Sequence, residues 1–481
     1  MLVYKQLNTS IISTVAFIDN RTTYSVSSPR ACKILNADRR RFQKPVALYE
    51  ILKVFGSNVV VTEVAPGFSE KVFELVWDTS TWIVLDLFKS EGWDTMAPGE
   101  EKEVRNIPEI TLKVTLAVLA TASFGAPLGP QQDKEATTGH GMSFVEAISL
   151  QRIKRADHAL RAYMHGMIAT RREEIQRGEV SAKHDLLNAL VESSVQDTTE
   201  EGGAAGGGLS DDELVGNTWI FALAGHETSA HSLAFAIAYL AIHQDKQAWL
   251  YEELLDVFPA DHTPVYSDYA RLPRTLAVIY ETLRLHPAVV YIPKYATEDT
   301  WLPDEPDNDV GEEEGEGKRV FVPKGTQCGI DTVGLRESAL GRRRVEESTL
   351  ILIIHRSWKD RHPRYWKNPD VFLPERFMED YDRDAFAPFS AGARGKSCIG
   401  RKFSEVENVC VLALLLRHYR ILPLSAKGSS DEALDEADDT RVNEVLAERL
   451  LATKPGVTLT PKEIGVRLVK RGDGDVRAPM L

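Results

Sequence analysis

Apolar residues recur at intervals of three and four along much of the chain after residue 100, which is the spacing of one face of an α-helix. This pattern predicts helices over Ile107 to Phe124, Phe144 to Arg177, Lys183 to Ser193, Asp211 to Phe258 and Thr275 to His286. Short segments typical of strands lie at Ser13 to Phe17, Tyr24 to Val26 and Val320 to Val322. Together these elements predict a mainly α fold with a small β region.

Two polar segments between the predicted elements are typical of surface loops. Residues 193–210 contain five glycines, which predicts a flexible linker. At the end of this linker Ser210 stands three residues before Glu213, the spacing of a capping box that begins a helix. Residues 307–319, DNDVGEEEGEGKR, predict an acidic solvated loop to which we assign no function.

The composition limits the classes of partner and compartment. A formal charge of −14 argues against nucleic acid as a partner, because phosphate binding needs a basic surface. Four cysteines in 481 residues do not make a disulfide framework; they indicate a reducing compartment, or one cysteine kept for its chemistry. The nearest candidate for a membrane span, residues 114–132, is broken by two glycines and two prolines. The N-terminus shows no signal-peptide pattern, so we expect a soluble, cytoplasmic chain.

The stretch AGHETSAHS, residues 224–232, places two histidines and an acid on the longest predicted helix. The zinc motif H-E-x-x-H needs histidines four residues apart, so that both reach one ion. His226 and His231 are five residues apart, which turns the second side chain roughly 140° away from the first. The spacing argues against a zinc hydrolase, which we keep only as a distant alternative.

Ala224 and Gly225, inside the same predicted helix, need an explanation, because glycine there costs about 1 kcal/mol relative to alanine. One interpretation is that small residues let a neighbouring helix pack closely, with Glu227 facing solvent. The other is that a ligand approaches the helix here, beside the acid Glu227 and the hydroxyl of Thr228. This stretch alone leaves both interpretations open.

A single cysteine near the C-terminus, Cys398, stands in a glycine-rich loop within FSAGARGKSCIGRKFSEVE, just before an amphipathic segment. Thiolates are stabilised at helix N-termini, so this position suits an iron ligand or a nucleophile. An isolated cysteine is more often a buried, inert thiol. A cysteine protease needs a partner histidine and does not account for the surrounding glycines and arginines. A haem thiolate does, because the loop must approach the macrocycle and its N–H groups must reach the sulfur.

With these residues in view, the chain resembles a cytochrome P450 of the eukaryotic microsomal type, most similar to fungal members. Four motifs match the family's patterns in the family's order. They are A-G-x-[DE]-T at Ala224, Gly225, Glu227 and Thr228, E-x-x-R at Glu281 and Arg284, P-E-R-F at Pro374 to Phe377, and the cysteine loop at Phe389, Gly392, Arg394, Cys398 and Gly400. The resemblance implies the cytochrome P450 fold, as a single domain over residues 1–481.

The resemblance implies a haem b cofactor, iron protoporphyrin IX, with the thiolate of Cys398 as proximal iron ligand. Glu227 and Thr228 are then the catalytic pair, relaying protons through water on the distal side. The cofactor-binding residues implied in the same way are Arg394 and Lys294 for the propionates, Phe389, Gly392 and Gly400 in the cysteine loop, and Ala224 and Gly225, which leave room over the haem.

Glu281, Arg284 and Arg376 resemble the family's buried Glu-Arg-Arg triad, a folding lock beneath the haem. The simpler interpretation is a surface ion pair between residues three apart on one helix, worth a few tenths of a kcal/mol. That interpretation does not account for Arg376, so the resemblance favours the triad.

The family's reaction is insertion of one oxygen atom of O₂ into a substrate, with electrons from NADPH through a separate cytochrome P450 reductase. We expect a lipophilic small molecule as substrate, because the helices that would face the cavity are apolar. The basic residues Lys396, Arg401 and Lys402 flank the cysteine loop and are either contacts for an acidic partner or ordinary surface charges. The family's usual location is the endoplasmic reticulum membrane, facing the cytoplasm.

Three departures from the family's pattern support a second interpretation, a degenerate or mis-spliced member with poor haem binding and no turnover. The family's N-terminal anchor pattern is not seen. No tryptophan is followed by arginine four residues later, so the propionate-binding Trp-x-x-x-Arg helix, expected just after Glu63, is missing. Residues 336–362 form an atypical insert, and three residues separate Arg394 from Cys398 where one is usual.

Overall fold

Helices make up most of the described structure and strands a small part of it. The structure, a computed structural model, describes residues 11–15, 22–26, 28–38, 40–45, 55, 57–58, 70–126, 150–178, 185–196, 209–259, 262–304, 318–331, 365–390, 398–424, 439–454 and 458–472. The helices are α1 (Pro29–Ala37), α2 (Glu70–Ser90), α3 (Ile107–Phe124), α4 (Leu150–Gln176), α5 (Leu186–Gln196), α6 (Asp211–Ile242), α7 (Gln244–Val257), α8 (Pro273–Leu285), α9 (Arg401–His418) and α10 (Asp439–Leu450). Short 3₁₀ helices lie at Tyr266–Arg271, Pro374–Met378 and Arg383–Ala385. The predicted mainly α fold with a small β region is confirmed.

The strands form one five-stranded sheet and three smaller sheets within the described residues. They are β1 (Ile11–Val15), β2 (Thr22–Val26), β3 (Phe42–Gln43), β4 (Glu101–Val104), β5 (Tyr291–Ala296), β6 (Thr300–Pro303), β7 (Arg319–Val322), β8 (Gln327–Asp331), β9 (Tyr419–Pro423), β10 (Thr453–Lys454), β11 (Thr460–Pro461) and β12 (Val466–Lys470). The large sheet has the order β1-β2-β8-β5-β3, with β2 and β8 parallel and the other neighbours antiparallel. The smaller sheets are β4-β12-β9, β6-β7 and β10-β11.

Helix α6 begins at the predicted capping box and is buried over most of its length. Ser210 Oγ accepts from the N–H of Glu213 at 3.3 Å, and the Glu213 carboxylate accepts from the N–H of Ser210 at 2.9 Å. Every side chain from residue 229 to residue 242 is buried. A helix buried on all faces carries no polar stripe, which is why its sequence is apolar on every side.

The single helix predicted from Asp211 to Phe258 is wrong, because the chain breaks at His243 into α6 and α7. His243 has φ −100° and ψ 81°, which is not helical. The side-chain amide of Gln244 donates to the carbonyl of Ala241 at 2.9 Å and so replaces a donor that a continuing helix would supply. Both helices pack against the same core, so the apolar spacing continues across the break and does not reveal it.

The other predicted helices are present, one with the predicted ends and the others with shifted ends. Helix α3 spans the predicted range and is capped by Asn106 at its start and by Gly125, with φ 63°, at its end. The ranges 183–193 and 275–286 correspond to α5 and α8, and α4 corresponds to the described part of 144–177. Helix α2 was not predicted, although the buried Val72, Val76 and Ile83 have the spacing of one helix face.

Several segments singled out in the sequence fall outside the described residues. They are positions 197–208 of the glycine-rich linker, positions 305–317 around the acidic loop, the whole insert 336–362, and positions 59–69, where the Trp-x-x-x-Arg helix is expected. Helix α5 extends to Gln196, so the linker begins later than predicted.

Two apolar cores hold the fold, a large one among the helices and a small one beneath the five-stranded sheet. Among the described residues α3 has the length and composition of a membrane span, with a mean hydropathy of 1.4. However, 67% of α3 is buried inside the protein, where the helix packs against α6 and α2. This is the environment of a core helix in a globular fold.

Candidate active site

Cys398 is the one exposed cysteine of the four in this chain. Cys328 and Cys410 are buried, and burial raises the pKa of each thiol to about 12. Although the Cys398 side chain is exposed, the protein atoms around it raise the pKa of its thiol, while the N–H of Gly400 and the charge of Arg401 act in the opposite direction. Cys398 therefore presents an exposed thiol three residues before α9, where the helix start and Arg401 partly offset the rise in its pKa.

The described ends of the cysteine loop are joined by a backbone hydrogen bond. The N–H of Cys398 donates to the carbonyl of Phe389 at 2.7 Å. A side chain at Gly400 would place its Cβ 3.9 Å from Cys398 Sγ, so glycine keeps the surroundings of the sulfur open. Gly392 and Arg394 lie outside the described residues.

A polar network that the sequence did not predict fastens the start of α9 to α8. Arg401 Nε donates to Glu405 Oε1 at 2.7 Å, and Arg401 Nη2 donates to the Tyr280 hydroxyl at 2.8 Å. The Tyr280 hydroxyl donates to Glu405 Oε1 at 2.6 Å. Burial and the Glu405 carboxylate raise the pKa of Tyr280, so the phenol stays protonated and remains a donor. The Arg401 guanidinium also lies 5.3 Å from the ring centre of Phe389, which links the two ends of the loop.

The basic residues that flank the cysteine loop differ in their surroundings. Arg401 belongs to the internal network with Glu405 and Tyr280 and is not simply a surface charge. Lys402 Nζ lies 3.5 Å from the ring centre of Tyr269, a cation–π contact. Lys396 lies outside the described residues.

Residues 222–228 form an accessible stretch of α6 between the buried Phe221 and Ser229. Ala224 is exposed, and Glu227 and Thr228 are half-buried. Thr228 Oγ1 donates to the carbonyl of Ala224 at 2.7 Å, which uses the hydroxyl proton and leaves the oxygen lone pairs as acceptors. An acid and a hydroxyl are therefore open to small molecules in an otherwise buried helix.

Gly225 is explained by helix packing. A Cβ on Gly225 would lie 3.0 Å from Leu119 Cδ1 of α3, so the glycine lets the two helices approach each other. Thr115 Oγ1, also on α3, donates to the carbonyl of His226 at 3.0 Å across the same contact. Close packing, the first of the two interpretations of the sequence, accounts for Gly225. That Ala224 and Gly225 leave room over a haem stays a prediction.

Glu227 and His231 share one partner, the hydroxyl of Thr458, whereas His226 has another. Glu227 Oε1 accepts from Thr458 Oγ1 at 2.8 Å, and His231 Nδ1 lies 2.9 Å from the same hydroxyl oxygen. His226 Nδ1 lies 2.7 Å from the carbonyl of Ala222. Burial lowers the pKa of His231 to about 4, so this imidazole is neutral near pH 7. Within the described parts of the chain, no three His, Cys, Asp or Glu side chains are grouped as metal ligands.

The accessible stretch of α6 and the cysteine belong to one region of the molecule. Ser229, which follows Thr228, donates through its hydroxyl to Ser404 Oγ at 3.1 Å. Ser404 lies on the first turn of α9, six residues after Cys398. This contact holds α9, which begins three residues after the cysteine, against the helix that carries the acid–threonine pair.

Glu281, Arg284 and Arg376 are brought together in the interior. Both oxygens of Glu281 accept from Arg284, at 2.7 Å from Nε and 2.9 Å from Nη2, and Oε1 also accepts from Arg376 Nε at 3.2 Å. Glu281 and Arg284 are fully buried. The remaining donors of the two arginines reach the carbonyls of Lys367, Asn368, Pro369 and Val371. The arrangement is not a surface ion pair but a buried and hydrogen-bonded cluster.

Lys294 lies on β5, opposite Cys328 of β8, and is 3% exposed. A buried ammonium group is costly unless anionic or hydrogen-bonding groups surround it. The large sheet therefore carries the basic side chain of Lys294 into the interior.

Comparisons with known proteins agree with this architecture. The cytochrome P450 family model matches residues 142–332 and 340–436, more than half of the chain. The chain therefore belongs to the cytochrome P450 family, as the four sequence motifs predicted.

Relatives and a solved structure match nearly the whole chain. Cytochrome P450 monooxygenase 124 of Postia placenta is 34% identical over 487 residues, covering 94% of this chain and 84% of the relative. Cytochrome P450 monooxygenase prx9 of Penicillium rubens is 26% identical over 517 residues, covering 94% and 80%. The crystal structure of the cytochrome P450DA haem domain superposes with a TM-score of 0.66 at 21% identity, covering 96% of this chain and 90% of that one, and so shows the shared fold.

Proposed function

We propose that this chain is a haem-thiolate monooxygenase that inserts one oxygen atom of O₂ into a lipophilic small molecule. The observation that carries the proposal is that an exposed thiol, Cys398, lies in the same region as an accessible acid–threonine pair, Glu227 and Thr228. Membership of the cytochrome P450 family and the fungal monooxygenase relatives support this assignment.

The residues of this region suit haem b. Cys398 would hold the iron through its thiolate, since Cys32, Cys328 and Cys410 are buried. Lys294 would bond a propionate from the buried face of the sheet, and Arg394 has the same role in the proposal. When bound, the haem supplies the activation of dioxygen that amino-acid side chains lack.

The side chains of α6 are suited to moving protons beside this group. Thr228 Oγ1 donates to the carbonyl of Ala224 and keeps its lone pairs to accept a hydrogen bond from water. Glu227 Oε1 is held by Thr458, and Oε2 has no hydrogen-bond partner among the described residues, so Oε2 is placed to exchange a proton with water. Ala224 carries only a methyl group and leaves space beside the pair.

Two clusters would hold the cysteine loop in position. On one side, Arg401, Glu405 and Tyr280 fasten the start of α9 to α8. On the other, Glu281 and its two arginines bond the backbone between residues 367 and 373. We propose the second cluster as the folding lock of the proximal side.

Electrons would come from NADPH through a separate cytochrome P450 reductase. The support for this partner is the family, together with a sequence in which no flavin or nicotinamide fingerprint follows a strand. A place at the cytoplasmic face of the endoplasmic reticulum membrane rests on the family resemblance alone.

The absorption spectrum of the reduced carbon monoxide adduct tests the proposal. A strongly red-shifted Soret band is expected, because thiolate ligation produces it. A purified chain that shows no haem band even after reconstitution with haemin would refute the proposal and support the degenerate member.

The haem content of the purified protein tests whether the missing Trp-x-x-x-Arg helix weakens haem binding. Two lost charge-assisted contacts to the propionates cost on the order of 3–6 kcal/mol, or roughly 10²–10⁴ in haem affinity. We therefore expect the chain to purify largely without haem, and a version with a Trp-x-x-x-Arg helix of the family inserted after Glu63 to take up more. Equal haem content by pyridine haemochrome assay would show that other side chains fill the role.

A further inference from the structure

Glu227, Thr458 and His231 form a hydrogen-bonded chain that no motif of the sequence indicates. Thr458 Oγ1 donates to Glu227 Oε1 at 2.8 Å and lies 2.9 Å from His231 Nδ1. Glu227 and His231 are one turn apart on α6, whereas Thr458 lies 231 residues beyond Glu227, just before β11. Tertiary structure alone brings the hydroxyl between them.

The chemistry of the three groups fixes where their protons lie. A threonine hydroxyl has one proton to donate, and that proton goes to the carboxylate of Glu227, which only accepts. The oxygen of Thr458 therefore meets His231 Nδ1 as an acceptor, and Nδ1 must carry a proton. Since burial keeps His231 neutral near pH 7, its Nε2 carries none. The chain runs from His231 Nδ1–H through Thr458 Oγ1–H to Glu227 Oε1.

The surroundings keep this arrangement in place. His231 is 3% exposed and Thr458 is 7% exposed, so bulk water does not compete for their bonds. The backbone after Thr458 is anchored, because the N–H of Leu459 donates to the carbonyl of Ala288 at 2.9 Å. The charged or titratable groups that act on His231 are Glu227, His226 and Lys454.

We propose that His231 and Thr458 are positioning residues that hold Glu227 Oε1, so that Oε2 is the oxygen left to exchange protons beside Thr228. This inference rests on the proposed monooxygenase function and names two residues that the function's motifs do not contain. Neither residue touches the reacting atoms. Loss of the Thr458 hydroxyl frees the Glu227 side chain to rotate and leaves His231 Nδ1 without its acceptor.

The tautomer of His231 is the first test, and it needs no cofactor. In the haem-free chain labelled with [¹⁵N]histidine, and assigned by loss of the signal in His231→Asn, we expect Nδ1 to be protonated at pH 7. In Thr458→Val the ratio of the Nδ1–H to the Nε2–H tautomer should fall by roughly tenfold, the equivalent of one hydrogen bond. Thr458→Ser should restore the ratio.

The matched control is Thr218→Val, which removes another buried threonine hydroxyl. Thr218 Oγ1 donates to the carbonyl of Leu214 within α6 and touches neither Glu227 nor His231. A general loosening of the helix would move the His231 signals in both variants; our proposal expects a change in Thr458→Val only. A wild-type His231 protonated at Nε2 would overturn the inference.

The C–O stretching band of bound carbon monoxide tests whether Thr458 holds the Glu227 side chain in position. In the reduced carbon monoxide adduct, the C–O stretching band should shift or broaden in Thr458→Val and keep its wild-type position in Thr458→Ser and Thr218→Val. An unchanged band in Thr458→Val would refute the positioning role. Absence of a thiolate-type adduct in the wild type would refute the proposed function instead, and the tautomer measurement would still decide the inference.

Discussion

Two carboxylates of this protein, Glu281 and Glu227, differ in how completely their oxygens are bonded. Glu281 is fully buried and its oxygens accept from Arg284, from Arg376 and from the N–H of Leu373 at 2.8 Å. Glu227 is half-buried and has one bond, from Thr458 to Oε1, among the described residues. A carboxylate whose two oxygens both accept hydrogen bonds stabilises the fold. A carboxylate with one oxygen that accepts no hydrogen bond from the protein is able to exchange protons with water. We propose that the same type of side chain serves stability at Glu281 and proton transfer at Glu227.

The largest effect is expected from breaking the buried cluster. Glu281→Gln keeps the shape of the side chain but removes the charge and turns an N–H₂ group toward the guanidinium of Arg284. Two buried arginines then lose their counter-ion, which costs about 3–5 kcal/mol, a large part of the stability of a typical protein. We expect little folded protein, or a strongly lowered free energy of unfolding in urea.

The control for this variant is Glu375, the residue next to Arg376. Glu375→Gln breaks an ion pair with Lys246 of 2.8 Å, but the Glu375 side chain is 34% exposed. Such a pair contributes about 0.2–1 kcal/mol, so the loss should be several times smaller. Equal losses in the two variants would contradict the contrast between buried and exposed carboxylates.

Replacing Cys398 should remove the thiolate-type spectrum completely and change stability little. Cys398→Ala should abolish the thiolate-type spectrum of the reduced carbon monoxide adduct and leave the free energy of unfolding of the haem-free chain nearly unchanged, because the side chain is exposed. Cys410→Ala is the matched variant, since Cys410 is buried and donates to the carbonyl of Trp77. It should lower stability and retain the spectrum; the reverse result would assign the ligand to Cys410.

Lowering the pH should destabilise the fold through His231, which contacts the same Thr458 hydroxyl as Glu227. Burial lowers the pKa of His231 from 6.5 to about 4, so between these values the unfolded chain binds a proton that the folded chain does not. Stability therefore falls as the pH falls through 6.5, and this contribution stops changing below about pH 4.

The stability advantage of the wild type over His231→Gln should shrink by about 2 kcal/mol between pH 7 and pH 5, measured by urea unfolding of the haem-free chains. His418, whose pKa burial also lowers to about 4, is present in both proteins and cancels in the difference. A difference that is the same at both pH values would show that His231 is not buried as a neutral group.

The smallest effect on stability, with a selective effect on chemistry, is expected at Thr228. Its hydroxyl donates to the carbonyl of Ala224 in its own helix, a bond whose loss costs little. After reconstitution with haemin, Thr228→Ala should bind as much haem as the wild type. It should release more peroxide per NADPH consumed with the reductase, because the hydroxyl that orders proton delivery is gone. Ser232→Ala removes a similar bond, to the carbonyl of Thr228 at 2.8 Å, and should not change the peroxide yield. Equal yields in the wild type and Thr228→Ala would remove Thr228 from the mechanism.

Local features of the sequence predicted local structure well. The capping box of Ser210 and Glu213 begins α6, and the periodicity from Ile107 to Phe124 matches α3. Signals of this kind depend on residues three or four apart, which interact before any tertiary contact forms. The break at His243 was missed because the apolar spacing continues across it, since both helices pack against the same core.

The contacts around the candidate site were less predictable. The Arg401–Glu405–Tyr280 network contains an i, i+4 pair that the sequence displays, but nothing in the spacing shows that Tyr280 of α8 joins it. Gly225 was assigned to cofactor space, whereas its contact is Leu119 of α3. In both places the residue that completes the contact lies on a different helix.

The sequence by itself determined the family, the order of its motifs and the local geometry of each motif, because a motif such as E-x-x-R sets two side chains on one helix face whatever surrounds it. Only the tertiary structure decided which distant groups complete each site. Arg376 reaches Glu281 across 95 residues, and Thr458 reaches Glu227 across 231. Contacts at such separations depend on how helices and loops pack. That packing is a property of the whole folded core, and no short stretch of the chain records it.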